Sequence, residues 1–296
     1  MNSRHFSILG AIVLLLGAAG GTAWWLRAGQ VPTGQTPAGQ TPSHLTPPHP
    51  ALTAAEAEPL PTPPFPPRIA EGDQYDKCLT MLIEDPEGAE ALAAAWKASG
   101  GGETALHCQA LAAIAAGEPE TGADMLEDLA RGGKVQGLMR AVLLSQAAEA
   151  RLMAEQAEAA LKDTTEALDI SPGDPDLLIG RANASDALGR STQAMDDLNQ
   201  ALLLDPSRAD ALVLRASVWR RLDMLAEARS DIDRAIALDP DDAEILVERG
   251  ILRQRMGDIA GARKDWLRAR DSDPNSEAAE LAAQNLTLLD AGPEKK

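Results

Sequence analysis

The chain has 296 residues, 45% of them hydrophobic and only 3% aromatic, and it carries a formal charge of −18. All but Arg4, Arg27 and Arg68 of its 27 basic residues, and all but Glu56 and Glu58 of its 45 acidic ones, lie after residue 70. A region so acidic disfavours binding to nucleic acid or to anionic lipid headgroups by bulk electrostatics.

The first element is an apolar run. Phe6 to Leu26 contains no charge, follows Arg4 and His5, and ends at Trp24, Trp25 and Arg27. As a helix it is long enough to cross a hydrocarbon core of roughly 30 Å, and paired tryptophans suit the interface. Residues 1–27 are therefore expected to be a transmembrane signal anchor. A cleaved signal peptide is the rival reading, because Ala18-Ala19-Gly20 and Gly21-Thr22-Ala23 offer small residues for a cut. Either way the folded part would be exported, although Arg4 and Arg27 give almost no charge bias and leave the opposite orientation open.

Residues 28–70 hold 12 of the 20 prolines and repeat Gly-Gln-Thr-Pro at 34–37 and 39–42. Such a composition cannot bury enough apolar surface to fold, so a disordered linker is expected, with a reach of up to about 120 Å in extended polyproline form. Residues 71–136 read as two irregular helix pairs. Asp85-Pro86 breaks the first pair and Gly100 to Gly102 ends it; the second starts near Glu103 and turns at Gly117.

From residue 137 the pattern becomes periodic. Pro172, Pro206, Pro240 and Pro274 stand 34 residues apart, each closing a helical segment. Alanine recurs five residues before each proline (Ala167, Ala201, Ala235, Ala269) and seven before that (Ala160, Ala194, Ala228, Ala262). A third small column is Ala148, Ala182, Ala216 and Gly250. A 34-residue period of two helices with small residues in fixed phase signals a stacked helical array. Asp174, Ser207 and Asp241 are candidate caps for the helices that follow the prolines, and Pro175 suits a first helical position. Residues 277–290 read as an amphipathic capping helix and 291–296 as a tail.

At these columns the sequence resembles the tetratricopeptide repeat family, with repeats at 141–174, 175–208, 209–242 and 243–276. The resemblance implies an all-α, right-handed solenoid of helix hairpins. The family's turn glycine is present as Gly189 and Gly257 but replaced by Glu155 and Asp223, where a longer or looser turn is expected. The resemblance also implies that protein or peptide partners bind a concave groove lined by the first helix of each hairpin. Carried over residue by residue, its positions include Ile179 and Asn183, then Val213, Ser217, Arg220 and Arg221, then Val247, Ile251 and Arg255. The family's clamp for chaperone tails uses lysines and an asparagine; only Asn183 echoes it, and Ile179 stands where a lysine would. Aliphatic anchors beside Arg220, Arg221 and Arg255 suggest instead a peptide with an acidic end.

In such a stack the first helices of successive units are neighbours, so Cys78 and Cys108 could meet as a disulfide. Buried free thiols are the plainer alternative, and a redox pair lacks the usual CxxC spacing. Asp163, Asp197, Asp231 and Asp265 share one repeat position, and Arg181, Arg215 and Arg249 another, 16 residues earlier. Strict phase suggests a ladder of partly buried ion pairs, Arg181 with Asp197, Arg215 with Asp231 and Arg249 with Asp265; a charged binding surface is the alternative.

Catalysis has little to stand on. His107 is the one histidine after residue 49, and no phosphate-binding glycine loop or histidine-rich metal motif occurs. The expectation is a non-enzymatic scaffold without cofactor, metal or small-molecule substrate. It would be held at the cytoplasmic membrane by its first helix, with the repeats in the periplasm. The alternative is a periplasmic assembly factor that holds envelope or exported clients transiently.

Overall fold

The computed structural model describes residues 68–291. The expected anchor, nearly all of the expected linker, and residues 292–296 lie outside them. Among the described residues no helix is long and apolar enough to cross a membrane.

The described chain is all α, and its helices pair into hairpins. α1 (Asp73–Glu84) and α2 (Pro86–Ala98) form the first, α3 (Gly102–Ala115) and α4 (Pro119–Arg131) the second. The periodic region supplies α5 (Leu138–Met153) with α6 (Ala157–Ile170), and α7 (Pro175–Ala187) with α8 (Ser191–Leu204). α9 (Ala209–Arg221) with α10 (Leu225–Leu238), and α11 (Ala243–Arg255) with α12 (Ile259–Ser272), complete it. α13 (Glu277–Ala291) follows and packs on both α11 and α12, as the first helix of another hairpin would. First helices also stack on one another, α5 on α7, α7 on α9 and α9 on α11.

The small columns explain the pairing. Ala182, Ala194 and Ala201, and their equivalents Ala216, Ala228 and Ala235, are fully buried. A side chain of one carbon lets the two backbones approach, and larger residues between these columns then interdigitate. Leu198, Ile232 and Trp266 occupy one such position in successive hairpins, each with no exposure. The last shows how tightly the columns are coupled. A Cβ at Gly250 would lie 2.3 Å from Trp266 Nε1, so the bulkiest residue of its column faces the one position reduced from alanine to glycine. The indole N–H donates to the Val247 carbonyl at 3.2 Å.

The hairpin turns correct one expectation. Glu155 and Asp223 take left-handed backbone (φ 58° and 61°), as do Gly189 and Gly257 (φ 71° and 86°). The closing bonds match as well: Gln156 N–H to Arg151 carbonyl at 2.7 Å and Met224 N–H to Trp219 at 2.9 Å, against Arg190 to Ser185 at 2.8 Å and Asp258 to Arg253 at 2.9 Å. The turn is thus neither longer nor looser where glycine is missing. Packing of the two helices dictates the geometry, and the non-glycine residue bears the backbone strain.

Caps agree with the sequence in part. Asp174 caps α7 through the Asp176 N–H, and Pro175 opens that helix. Ser207 does not cap α9; its hydroxyl donates to Asp205 instead. Asp242 rather than Asp241 caps α11, accepting from the Ile245 N–H at 2.9 Å, and Asp241 pairs with Arg268.

The arginine–aspartate ladder runs through the last three repeats. Arg181 meets Asp197 at 2.8 and 2.6 Å, Arg215 meets Asp231 at 2.8 and 2.7 Å, and Arg249 meets Asp265 at 2.9 and 2.7 Å, each through two guanidinium nitrogens. The carboxylates are buried, so the fork geometry supplies hydrogen bonds that water no longer can. In the first repeat Ala147 takes the arginine position. Asp163 is reached there from the preceding hairpin, by Arg131 at 2.9 Å, and lies beside Glu127. Burial and then Glu127 push its carboxyl well above the usual range, to about 7.

Two substitutions test this account. Gly250→Ala should lower stability by about 1–3 kcal/mol despite the better helix propensity of alanine, because Trp266 has no room to withdraw; thermal unfolding measures it. Arg215→Ala should cost about 2–4 kcal/mol by leaving the buried Asp231 with only the distant Arg234, at 3.7 Å, and Arg215→Ala with Asp231→Ala should cost less than the single change. Unchanged melting for Arg215→Ala would remove the ladder from the account of stability.

Candidate functional site

Two places bear on function, the surroundings of Cys78, Cys108 and His107, and the groove along the first helices. At the first, α1 and α3 lie side by side and Cys78 and Cys108 are joined as a disulfide, with Cα atoms 6.2 Å apart. Both sulfurs are buried against Ala93, with Leu82, Leu92 and Trp96 around them. A disulfide there closes a loop across the least regular hairpin and contributes on the order of 3 kcal/mol by restricting the unfolded chain.

His107 points the other way, into a buried hydrogen-bond chain. Its Nδ1 lies 2.5 Å from the Tyr75 hydroxyl and its Nε2 2.6 Å from Gln146 Oε1. An amide oxygen only accepts, so Nε2 carries the proton and the Tyr75 O–H donates to Nδ1. Burial pushes the imidazole down to about 4, against the opposing pull of Gln146. Both ring nitrogens are engaged and no side-chain exposure remains. This neutral histidine ties α1, α3 and α5 together; it has neither a nucleophile to activate nor access to a substrate. Among the described residues no group of three or more His, Cys, Asp or Glu could hold a metal ion.

The groove is the other place. An open cavity of about 420 Å³ runs across α7, α9, α11 and α13. Ile179, Val213, Leu214, Val247, Ile251, Ala278 and Leu281 give it an aliphatic floor; Asn183, Ser217, Asp210, Glu244, Glu248 and Glu277 give it polar edges. One residue per turn of each first helix faces the same side, and stacking the helices aligns those faces into a strip. Six of the residues named from the sequence therefore come together: Ile179, Asn183, Val213, Ser217, Val247 and Ile251.

The three arginines do not join them as a cationic cluster. Arg220 is held by Glu248 at 2.6 and 3.1 Å and also reaches the Ser217 hydroxyl. Arg221 pairs with Asp186 and Arg255 with Asp223 at 3.0 Å. Each partner lies in a neighbouring hairpin, so these pairs stitch the stack, and an acidic peptide end would have to break them. The carboxylates left on the groove edge give it the opposite sign. Burial, reinforced by Asp242, Asp210 and Glu277, raises the pKa of Glu244. The sequence could have shown this: Asp176, Asp210 and Glu244 recur at one repeat position. The contribution of α13, through Glu277, Ala278 and Leu281, carries no repeat signal and needed the fold.

Comparison with known proteins matches this geometry. Residues 175–208 match the family model of the tetratricopeptide repeat. No curated protein matches the chain. Among solved structures the chain is similar to TTC0263, a thermophilic tetratricopeptide repeat protein of Thermus thermophilus. Identity is 19%, 62% of this chain and 99% of that one are covered, and the TM-score is 0.55. It is also similar to a chain of the Cut9–Hcn1 hetero-tetramer of the APC/C, at 14% identity and a TM-score of 0.57, over 72% of this chain and 42% of that one. At these identities the likeness establishes the fold, a tetratricopeptide-like stack of helix hairpins.

The buried histidine makes stability pH-dependent. The unfolded chain binds a proton on this residue below about pH 6.5, while the native protein refuses it until about pH 4. Its contribution is therefore whole above pH 6.5 and lost as pH falls towards 4, by roughly 3 kcal/mol. Asp163, with a raised pKa, acts in the opposite direction over much of that range. The difference between wild type and His107→Gln in denaturant melts from pH 7 to pH 4 isolates the histidine, and the variant should lack this loss.

Proposed function

We propose that this protein is an interaction scaffold that binds a segment of another protein in the groove across α7, α9, α11 and α13. The observation that carries the reading is an open groove with polar edges, in which Ile179, Val213, Leu214 and Ile251 are half-buried and Leu281 is exposed, left uncovered by the chain's own described residues. An extended or helical segment suits a surface of that shape.

The scaffold is placed, in this proposal, on the periplasmic side of the cytoplasmic membrane. Residues 1–27 hold it there and residues 28–70 set its distance from the bilayer. The apolar run of Phe6 to Leu26 and the proline-rich composition support the tether. The Cys78–Cys108 disulfide supports an oxidising compartment.

A photocrosslinking residue at Ile179, Val213 or Val247, in cells, tests the reading, with Asp196 on the outer helix α8 as control. One dominant partner trapped from the groove alone is expected. A spread of unrelated exported proteins would favour a transient assembly factor, and silence at all three positions would rule the groove out.

A further inference from the structure

At Asp210, on the groove edge, one carboxylate already holds a cation, and it comes from the chain itself. Arg208, just before α9, reaches Asp210 through Nε at 3.0 Å and Nη2 at 2.6 Å, and Asp176 of the preceding first helix through Nη1 at 2.5 Å. A guanidinium thus bridges equivalent carboxylates of two successive repeats. The spacing between first helices in this stack fits a cation between those side chains.

One repeat further on, the same frame supplies no bridging cation of its own. Thirty-four residues after Asp176, Arg208 and Asp210 stand Asp210, Asp242 and Glu244. The carboxylates recur, but an aspartate replaces the bridging arginine, and Asp242 is occupied in capping α11. Glu277 at the start of α13 adds another carboxylate to the same edge. Among the described residues Glu244 and Glu277 have no ion pair; Arg208 holds Asp210 and Asp176, and Arg220 and Arg221 are committed to Glu248 and Asp186. Crowded carboxylates of one sign repel, and an external cation relieves that repulsion. Directly beside them lie Val213, Val247, Ile251 and Leu281, the last 42% exposed.

We infer that the groove takes a protein segment in which a lysine or arginine adjoins aliphatic side chains. The cation would sit between Glu244 and Glu277, beside the Asp210 carboxylate that Arg208 already holds, with the aliphatic groups on Val213, Ile251 and Leu281. The inference rests on the reading of this groove as a partner site and names the chemistry of the partner. An acidic segment is opposed by the same edge, since the nearby arginines are already paired.

Four fluorescent nine-residue peptides test it, sharing one leucine–alanine frame and differing only in a central arginine, lysine, glutamine or glutamate. Fluorescence anisotropy on the full chain should show the arginine and lysine peptides binding at least about 10-fold more tightly than the glutamine peptide, and the glutamate peptide more weakly still. Asp242→Arg, which restores the arginine of the preceding repeat, should abolish the preference. Asp196→Arg, the same charge change on the outer helix α8, should keep it. An equal loss in both variants would mean that the net charge of the domain alone attracts the peptides, and the inference fails. A flat or reversed order, or no binding by any of the four, overturns it too. Crosslinking from Val213 decides separately whether the groove binds a partner: a crosslink with a flat peptide order keeps the groove and rejects the basic segment, and silence rejects both.

Discussion

Close approach of paired helices through alanine is the constraint on which the rest of this structure depends. With one carbon at Ala182, Ala194 and Ala201, and at their equivalents in each repeat, the two helices of a hairpin come close enough for leucine, isoleucine or tryptophan to fill the spaces between the columns. The aromatic content is only 3%, so dispersion from many small, fully dry contacts replaces the large buried rings of an ordinary core. Gly250 opposite Trp266 shows the margin: one larger residue is accommodated only because the facing position gives up its last carbon.

Such a core has no centre. The buried residues divide into clusters that overlap along the stack, one around Leu143, Leu144 and Leu178, the next around Leu198 and Leu212, and a third around Leu246 and Trp266. Stability is then nearly a sum of hairpins and the interfaces between them. Charged pairs cross those interfaces or lie within the hairpins, and in the ladder the carboxylates of Asp197, Asp231 and Asp265 are buried deeply enough that loss of the arginine matters more than the pair itself contributes. Among the described residues each end of the stack has a neighbouring hairpin on one side only. One end has the disulfide and the Tyr75–His107–Gln146 chain, and the other has α13.

The groove follows from the same regularity. Helices in register present equivalent positions as a strip, so a residue that recurs in sequence becomes a line on the surface. Position alone does not give its chemistry. Arg220, Arg221 and Arg255 occupy groove positions by count, yet long flexible side chains reach the nearest carboxylates of adjacent hairpins, and the surface they leave is acidic. The short carboxylates of Asp210, Glu244 and Glu277 stay where their backbone puts them.

The amino-acid sequence by itself determined the repeat frame. The 34-residue spacing of Pro172, Pro206, Pro240 and Pro274, with three small columns, specified the hairpin boundaries to within a few residues, because helix period and helix termination are local properties of the chain. It also paired Arg181, Arg215 and Arg249 with their aspartates, since a constant separation of 16 residues across a hairpin leaves little freedom. Tertiary structure alone decided the turn at Glu155 and Asp223, where packing overrides the preference for glycine, and the cap at Asp242 rather than Asp241. It decided as well which carboxylates the arginines reach and that α13 completes the groove. Those outcomes depend on which side chains from different hairpins fall within a few ångströms of one another, a distance that no spacing along the chain encodes.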